Sequence, residues 1–353
     1  MPLWSRNSTA KRRVASTIKM LNALVVRDRT RLTEVVTVPR AAAAIDNGDV
    51  GLVTGQRLTV HQLLSLMLVA SANDAAEALA IHIAGSEKSY VALMNAKAKS
   101  LGLKNTTAAD AHGLGKREHS TADDLSVLAR RVMADPVLRA IVAKRTVAIP
   151  QPRGKPVVVA STDWLLGAYR GMEGVKTGFT DPAGYCFVGA ARRGDVELLG
   201  VVLGASSVDA RFSEMRKLLD WGFAHAHRRR VVSQEETIGV MPVGVDVRHR
   251  VIVHPVRSVS ITLLDGGPPL AERLSFGAVR LPLRAGHRVG TLDVFQGKAL
   301  LASVPLIVLV DVPAPAPVAA ALAPAPKSTD RAFWDDILAP VLGFWQRLAS
   351  GAA

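Results

Sequence analysis

Ile18, Met20, Leu21, Leu24 and Val25 follow Ser16 at helical spacing, and their density predicts a helix buried on most of its sides. A second apolar segment runs to Ala70 from Thr59-Val-His-Gln62, which has the form of a capping box. A third helical pattern begins at Asp74, so Ser71-Ala-Asn73 falls in a polar joint between two helices. Farther on the period changes. Tyr185 to Ala191 and Val196 to Leu203 are short apolar runs joined by Arg192-Arg-Gly-Asp195, which predicts two strands and a turn, with Val175 to Phe179 as an edge strand beside them.

After Arg230 the texture becomes short apolar stretches broken by glycine, proline and charge, as in Ser258 to Leu264, Val279 to Leu283 and Leu306 to Val310. This predicts a small all-β domain. Val312 to Lys327 is rich in proline and alanine and reads as a semi-extended linker. Beyond it, Trp334, Ile337, Leu338, Val341, Leu342, Trp345 and Leu348 share one helical face, with Pro340 expected to kink the helix. The segment is too short in apolar residues to span a bilayer and is expected to lie in a membrane interface.

Composition narrows the classes. With 353 residues and 49% hydrophobic side chains there is material for more than one domain. Cys186 is the only cysteine, so no intramolecular disulfide, thiolate metal cluster or redox pair is available. The histidines include His225-Ala-His227 but no His-Glu-x-x-His, and no metal or cofactor is expected. The net charge of +14 favours polyanionic surroundings. Aromatics are few, at 5%, and no recognition-helix, zinc-finger or RNA-binding signature occurs, so wall polymers or anionic headgroups are expected as surroundings and nucleic acid is not.

The candidate chemistry lies in three short motifs. Ser16-Thr-Ile-Lys19 supplies a serine nucleophile with a lysine three residues on, on the same helical face. Ser71-Ala-Asn73 supplies a second hydroxyl and an amide, and Lys176-Thr177-Gly178 a cationic strand edge. Each is weak alone. Ser8-Thr-Ala-Lys11 also reads Ser-x-x-Lys, and a helix cap followed by a solvated lysine accounts for any single copy. The three in order are specific, and an edge strand at Val175 to Phe179 could add an extended peptide as a further strand.

These motifs, together with His112-Gly-Leu114, Ser120-Thr-Ala-Asp-Asp-Leu125, Gly174 to Cys186, Val201 to Ala205, Arg211 and Leu218 to Phe223, closely resemble the serine D-alanyl-D-alanine carboxypeptidases, the low-molecular-weight penicillin-binding proteins. The resemblance implies an α/β (α+β) catalytic domain over residues 1–230, with an antiparallel sheet flanked by helices. A β-rich domain over 231–311, a linker over 312–330 and an amphipathic helix over 331–353 would follow.

By that resemblance Ser16 is the acylated nucleophile, Lys19 its base and Ser71 the relay to the leaving D-alanine, with Asn73 and Lys176 orienting them. Thr177 and Arg211 would bind the substrate carboxylate. The backbone amides of Ser16 and Phe179 would form the oxyanion hole, beside Gly178. Desolvation together with a neighbouring cation, Lys176, is expected to lower the pKa of Lys19. Implied partners are peptidoglycan stem peptides ending in D-Ala-D-Ala, β-lactams as covalent inhibitors, and a membrane surface through the C-terminal helix. The implied location is periplasmic.

The chain departs from the family at Ser161-Thr-Asp-Trp-Leu-Leu166, where relatives are asparagine-rich, and in its first fifteen residues. Those contain no apolar core of signal-peptide length and leave no room for the strands that open the family's sheet, so a truncated start is expected. Competing readings are a class A β-lactamase, a DD-endopeptidase and a non-catalytic, membrane-tethered wall-binding protein. The β-lactamase reading lacks a Glu-x-x-Asn after Ser71.

Overall fold

Helices and strands alternate through the first part of the chain, and among the described residues of the second part the regular elements are all strands. A computed structural model describes residues 3–314 apart from 46, 152–153 and 243–249. The chain divides into two compact units between His225 and Ala226. Most of the linker and all of residues 331–353 lie outside the described residues.

In the first unit a 3₁₀ turn, Ala15–Ile18, leads into α1 (Lys19–Arg29). Every residue of α1 from Lys19 to Val26 is buried, as expected for a helix that is apolar on nearly all sides. It is the axis around which α3 (Val60–Val69), α4 (Asn73–Ala84), α5 (Glu87–Ser100) and α6 (Ala122–Ala134) pack. A short ribbon of β1 (Val35–Thr37) and β2 (Arg57–Thr59), with α2 (Arg40–Ala43) between them in sequence, leads into α3. The capping box is present there: Gln62 N–H donates to Thr59 Oγ1 at 3.2 Å and Thr59 N–H to Gln62 Oε1 at 2.7 Å. α7 (Pro136–Val142) starts with proline at its first turn and Asp135 as cap.

After a second ribbon, β3 (Thr146–Ile149) with β4 (Val157–Ala160), the chain forms an antiparallel meander of β5 (Met172–Thr180), β6 (Gly184–Arg193) and β7 (Val196–Ala205), in that spatial order. The sheet is flanked by helices, as the family resemblance implied. Val188 and Ala190 of β6 face the helical core, while α8 (Val208–His225) packs on β6 and β7 from the other side. Gly200 permits that approach, since a Cβ there would sit 2.6 Å from Met215 Sδ. β5 is the sheet edge, as predicted. Among the described residues no strand precedes Ser16, and Arg12 makes only an isolated bridge to Ser120.

The second unit contains a ribbon of β8 (Ala226–Val232) with β11 (Val259–Leu264). It also holds a five-stranded sheet in which β9 (Gly239–Pro242), β10 (Arg250–Pro255), β12 (Leu270–Phe276), β13 (Arg288–Gln296) and β14 (Ala299–Ile307) run in the order β12-β13-β14-β10-β9. Its core includes Val253, Leu292, Val294, Val304 and Leu306. Val279 to Leu283 is not a strand, contrary to expectation. Pro282 offers no N–H to a ladder, and only Leu283 bridges, to Val312. Among the described residues no helix is long and apolar enough to cross a membrane.

Replacing Thr59 with alanine removes the hydroxyl that accepts from the Gln62 N–H, while the N–H of residue 59 can still donate to Gln62 Oε1. The expected loss is about 1 kcal/mol of stability, read as a lower denaturation midpoint with an unchanged slope.

Candidate active site

Ala15 adopts φ +48°, a left-handed conformation unusual for alanine, and this turns the chain into the 3₁₀ segment that carries Ser16. In a 3₁₀ turn residues three apart eclipse. Lys19 Nζ accordingly lies 2.7 Å from Ser16 Oγ, and Ser16 Oγ donates to the carbonyl of His112 at 3.3 Å. The Lys19 amine, fully buried, also donates to Asn73 Oδ1, and Asn73 Nδ2 donates to the carbonyl of Asn47. Asn73 begins α4, so the joint after α3 delivers its amide to the lysine.

Ser71 sits in that joint with φ +63°. Its Oγ accepts from Lys176 Nζ at 2.8 Å, and the same amine donates to the carbonyl of Thr177 at 2.8 Å. The three motifs therefore supply two lysine–hydroxyl pairs, Ser16 with Lys19 and Ser71 with Lys176. Asp74 secures the neighbouring loop by accepting from the N–H groups of Val50 and Leu52.

Burial dominates the electrostatics. It lowers Lys19 to about 7 against the opposing pull of Asp110, Glu118 and Asp74. Lys176 is held well below the usual lysine range, first by burial and then by the charges of Lys19 and Arg211. The sequence reading made Lys176 the cation that lowers Lys19. Desolvation lowers Lys19 as expected, but the like-charge repulsion falls on Lys176 rather than on Lys19. Glu118, almost fully enclosed, is pushed well above the carboxylate range, chiefly by burial.

On the strand side, Gly178 lets β5 approach the nucleophile's backbone, because a Cβ there would lie 2.9 Å from the Ser16 nitrogen. Thr177 Oγ1 donates to Thr162 Oγ1 at 2.6 Å. Phe179 is 45% exposed and stacks on Tyr185 with centroids 4.2 Å apart. Arg211 is buried, donates through Nη1 to the carbonyl of Gly178 at 3.4 Å and lies over the rings of Phe212 and Tyr185, while its Nε has no partner. In the Ser161 to Leu166 departure, Trp164 is 60% exposed and stacks on Phe212 at 5.3 Å. Beside it Asp163 is raised to about 6 by burial.

Ser16, Lys19 and Asn73 thus meet directly, as do Ser71 and Lys176. Thr177 and Gly178 border the nucleophile's segment, Phe179 points to solvent, and Arg211 stands against the strand rather than reaching past it. Sequence reasoning did not single out Asp110, Thr162 or the acceptor role of the His112 carbonyl. Asp110 accepts from the N–H groups of His112, Gly113 and Leu114 and so shapes the loop under Ser16. Gly113, with φ +102°, leaves no room for a side chain, since a Cβ would sit 2.5 Å from the Ala15 carbonyl carbon. An aspartate two residues before His112-Gly-Leu114 was the available signal for that loop.

A family model for D-alanyl-D-alanine carboxypeptidases, Peptidase_S11, matches residues 3–207. The chain is 32% identical to the D-alanyl-D-alanine carboxypeptidase DacC of Escherichia coli over 87% of this chain and 80% of that one. It is 40% identical to DacB2 of Mycobacterium tuberculosis over 60% of this chain and 74% of that one. Among solved structures, penicillin binding protein 5 from Haemophilus influenzae matches with a TM-score of 0.73 at 26% identity, covering 88% of this chain and 93% of that one. The Streptococcus pneumoniae peptidoglycan synthesis regulatory factor PBP3 matches with a TM-score of 0.75 at 25% identity, covering 88% and 95%.

Burying Lys19 has a pH signature. Its value of about 7 in the folded protein lies below the ordinary 10.5, so the cost of enclosing the charged amine is full below about pH 7 and is relieved as pH rises toward 10.5. The melting temperature of the native protein relative to a Lys19→Met variant should climb between about pH 7 and pH 10. A flat difference would mean that the amine keeps its charge when folded.

Proposed function

The chain belongs to the D-alanyl-D-alanine carboxypeptidase family of serine peptidases, and from that membership and the paired lysine–hydroxyl contacts we propose the following roles for its residues. The enzyme removes the terminal D-alanine from peptidoglycan stem peptides through an acyl-enzyme on Ser16. Ser16 Oγ attacks the carbonyl carbon of the D-Ala-D-Ala peptide bond while its proton passes to Lys19 Nζ. The amine must be neutral to accept it, and burial brings it to that state near neutral pH. In the structure the amine donates to Ser16 Oγ at 2.7 Å; for the attack the neutral amine would accept from that hydroxyl, whose proton turns from the His112 carbonyl.

The negative charge that develops on the carbonyl oxygen would be met by the backbone N–H groups of Ser16 and Phe179, which the close approach at Gly178 supports. Breaking the C–N bond requires a proton on the departing D-alanine nitrogen. Ser71 would relay it, giving its own proton to the nitrogen and taking back the one that Lys19 received from Ser16, with Lys176 holding its hydroxyl at 2.8 Å. Asn73 would fix the Lys19 amine. Thr177 would receive the terminal carboxylate, with Arg211 supporting it electrostatically through the Gly178 carbonyl. Water then cleaves the ester and restores Ser16. The strained amide of a β-lactam enters the same first step and leaves a slowly hydrolysed ester, since no second carboxylate is assigned to activate the water.

The observation that carries this reading is the Lys19–Ser16 contact inside a desolvated site. Labelled penicillin should form a long-lived adduct that peptide mass spectrometry maps to Ser16. Its rate of formation should rise with pH through an apparent pKa near 7, and Ser16→Ala should abolish it. An adduct elsewhere, or one retained in Ser16→Ala, overturns the assignment.

The substrate lies outside the cytoplasm, and the wide apolar face of residues 331–350, read in the sequence, supports a place on the outer surface of the cytoplasmic membrane. Deleting residues 331–353 should release the protein from liposomes. Unchanged co-sedimentation would remove the anchor from this reading.

A further inference from the structure

Beside the nucleophile, on the far side of the His112 loop, the fold gathers three side chains that the reaction does not use. They are Glu77 from α4, Glu87 from the first position of α5, and the imidazole of His112. Each presents one ligand atom, and the three atoms lie within 4.8 Å of one another. Glu77 is only 6% exposed, and its Oε2 has no hydrogen-bond partner. His112 Nε2 lies 3.4 Å from Glu87 Oε1.

On the opposite edge of the ring, Asp110 Oδ2 stands 3.3 Å from Nδ1, without closing a hydrogen bond. Asp110 is already fixed by the three backbone N–H groups it accepts from. A carboxylate behind one imidazole nitrogen and an open donor set before the other is the arrangement that orients a metal-bound histidine.

The buried Glu77 carboxyl faces that of Glu87, whose Oε1 also accepts from the Ala111 N–H at 3.1 Å, and the two are reconciled by a shared proton or by a cation between them. A proton would satisfy the carboxyl pair alone. It would leave unexplained the imidazole that shares the place, with a carboxylate stationed behind it.

We propose that Glu77, Glu87 and His112 form a binding site for one divalent transition-metal cation, adjacent to the catalytic centre and separate from its chemistry. Two carboxylate oxygens and one imidazole nitrogen make a donor set suited to zinc, with a coordination position left for water. Glu87 is half-buried and also lines an open cleft of about 590 Å³ together with Lys88, Thr107, Arg117 and His119. The consequence for the enzyme runs through the backbone. The His112 carbonyl accepts from Ser16, and Gly113 packs against Ala15, so an ion on the ring would stiffen the loop that seats the nucleophile.

The test is a titration of chelator-treated, full-length protein with zinc chloride, followed by calorimetry and by the melting temperature, with magnesium chloride as the oxygen-preferring control. The expected result is one zinc ion per chain, a higher melting temperature, weak or no magnesium binding, and affinity lower by at least about tenfold in both Glu77→Gln and Glu87→Gln. Glu87 starts its helix at the surface, so that variant serves if Glu77→Gln does not fold. No zinc binding by the native protein overturns the proposal, as does equal binding by the variants. A zinc-insensitive native protein with a metal-free Glu77→Gln that melts higher assigns the pair to a shared proton instead. Labelled penicillin applied to the metal-free protein separates this outcome from any failure of the carboxypeptidase reading.

Discussion

Two lysine amines enclosed without water set the terms for the rest of this site. An ammonium removed from water is costly, and a protein can keep one there only by surrounding it with acceptors or letting it lose its proton. Lys19 has Ser16 and Asn73, and Lys176 has Ser71 and the Thr177 carbonyl. Those acceptors come from the first helix, the α3–α4 joint and the edge strand, so enclosing the amines requires all three to be docked. The acidic groups behind Lys19 oppose its discharge, which leaves the amine poised near neutrality rather than driven far below it.

Close backbone approach makes that docking possible. At Gly178 the edge strand comes near the nucleophile's own amide, and at Gly113 the His112 loop comes against the residue before it. Either position with a side chain would push its segment away. The nucleophile is thereby clamped between a strand and a loop, and its geometry is set by main chain on both sides rather than by side-chain packing alone.

Much of this was legible in the sequence. The Thr59–Gln62 capping box, the buried α1 run, the two strands around Arg192-Arg-Gly-Asp195 and the edge position of β5 all follow from local pattern, because each depends on residues close in the chain. The pairing of Ser16 with Lys19 is local too. What escaped is non-local or depends on burial. Which lysine suffers the repulsion is decided by enclosure. Arg211, expected to bind the substrate carboxylate, is buried beside the ring of Phe212 and donates to the Gly178 carbonyl, a placement that no local pattern announces. Glu77, Glu87 and His112 carry no shared spacing, so only the folded chain brings them into view. Val279 to Leu283 failed as a strand because hydrophobicity outvoted a proline that cannot pair.

Ala15 and Ser71, both in left-handed backbone conformations, immediately precede the nucleophile and carry the second hydroxyl, respectively. For residues other than glycine such conformations cost on the order of 1 to 3 kcal/mol and persist only where the surroundings enforce them. Glycine would suit both turns better, yet at Ser71 it would delete the hydroxyl, and at Ala15 it would widen the range of positions open to the next residue. Tolerance of the fold and alignment of the reacting atom are therefore opposed at residue 15: the substitution that relaxes the backbone is the one that lets the nucleophile wander.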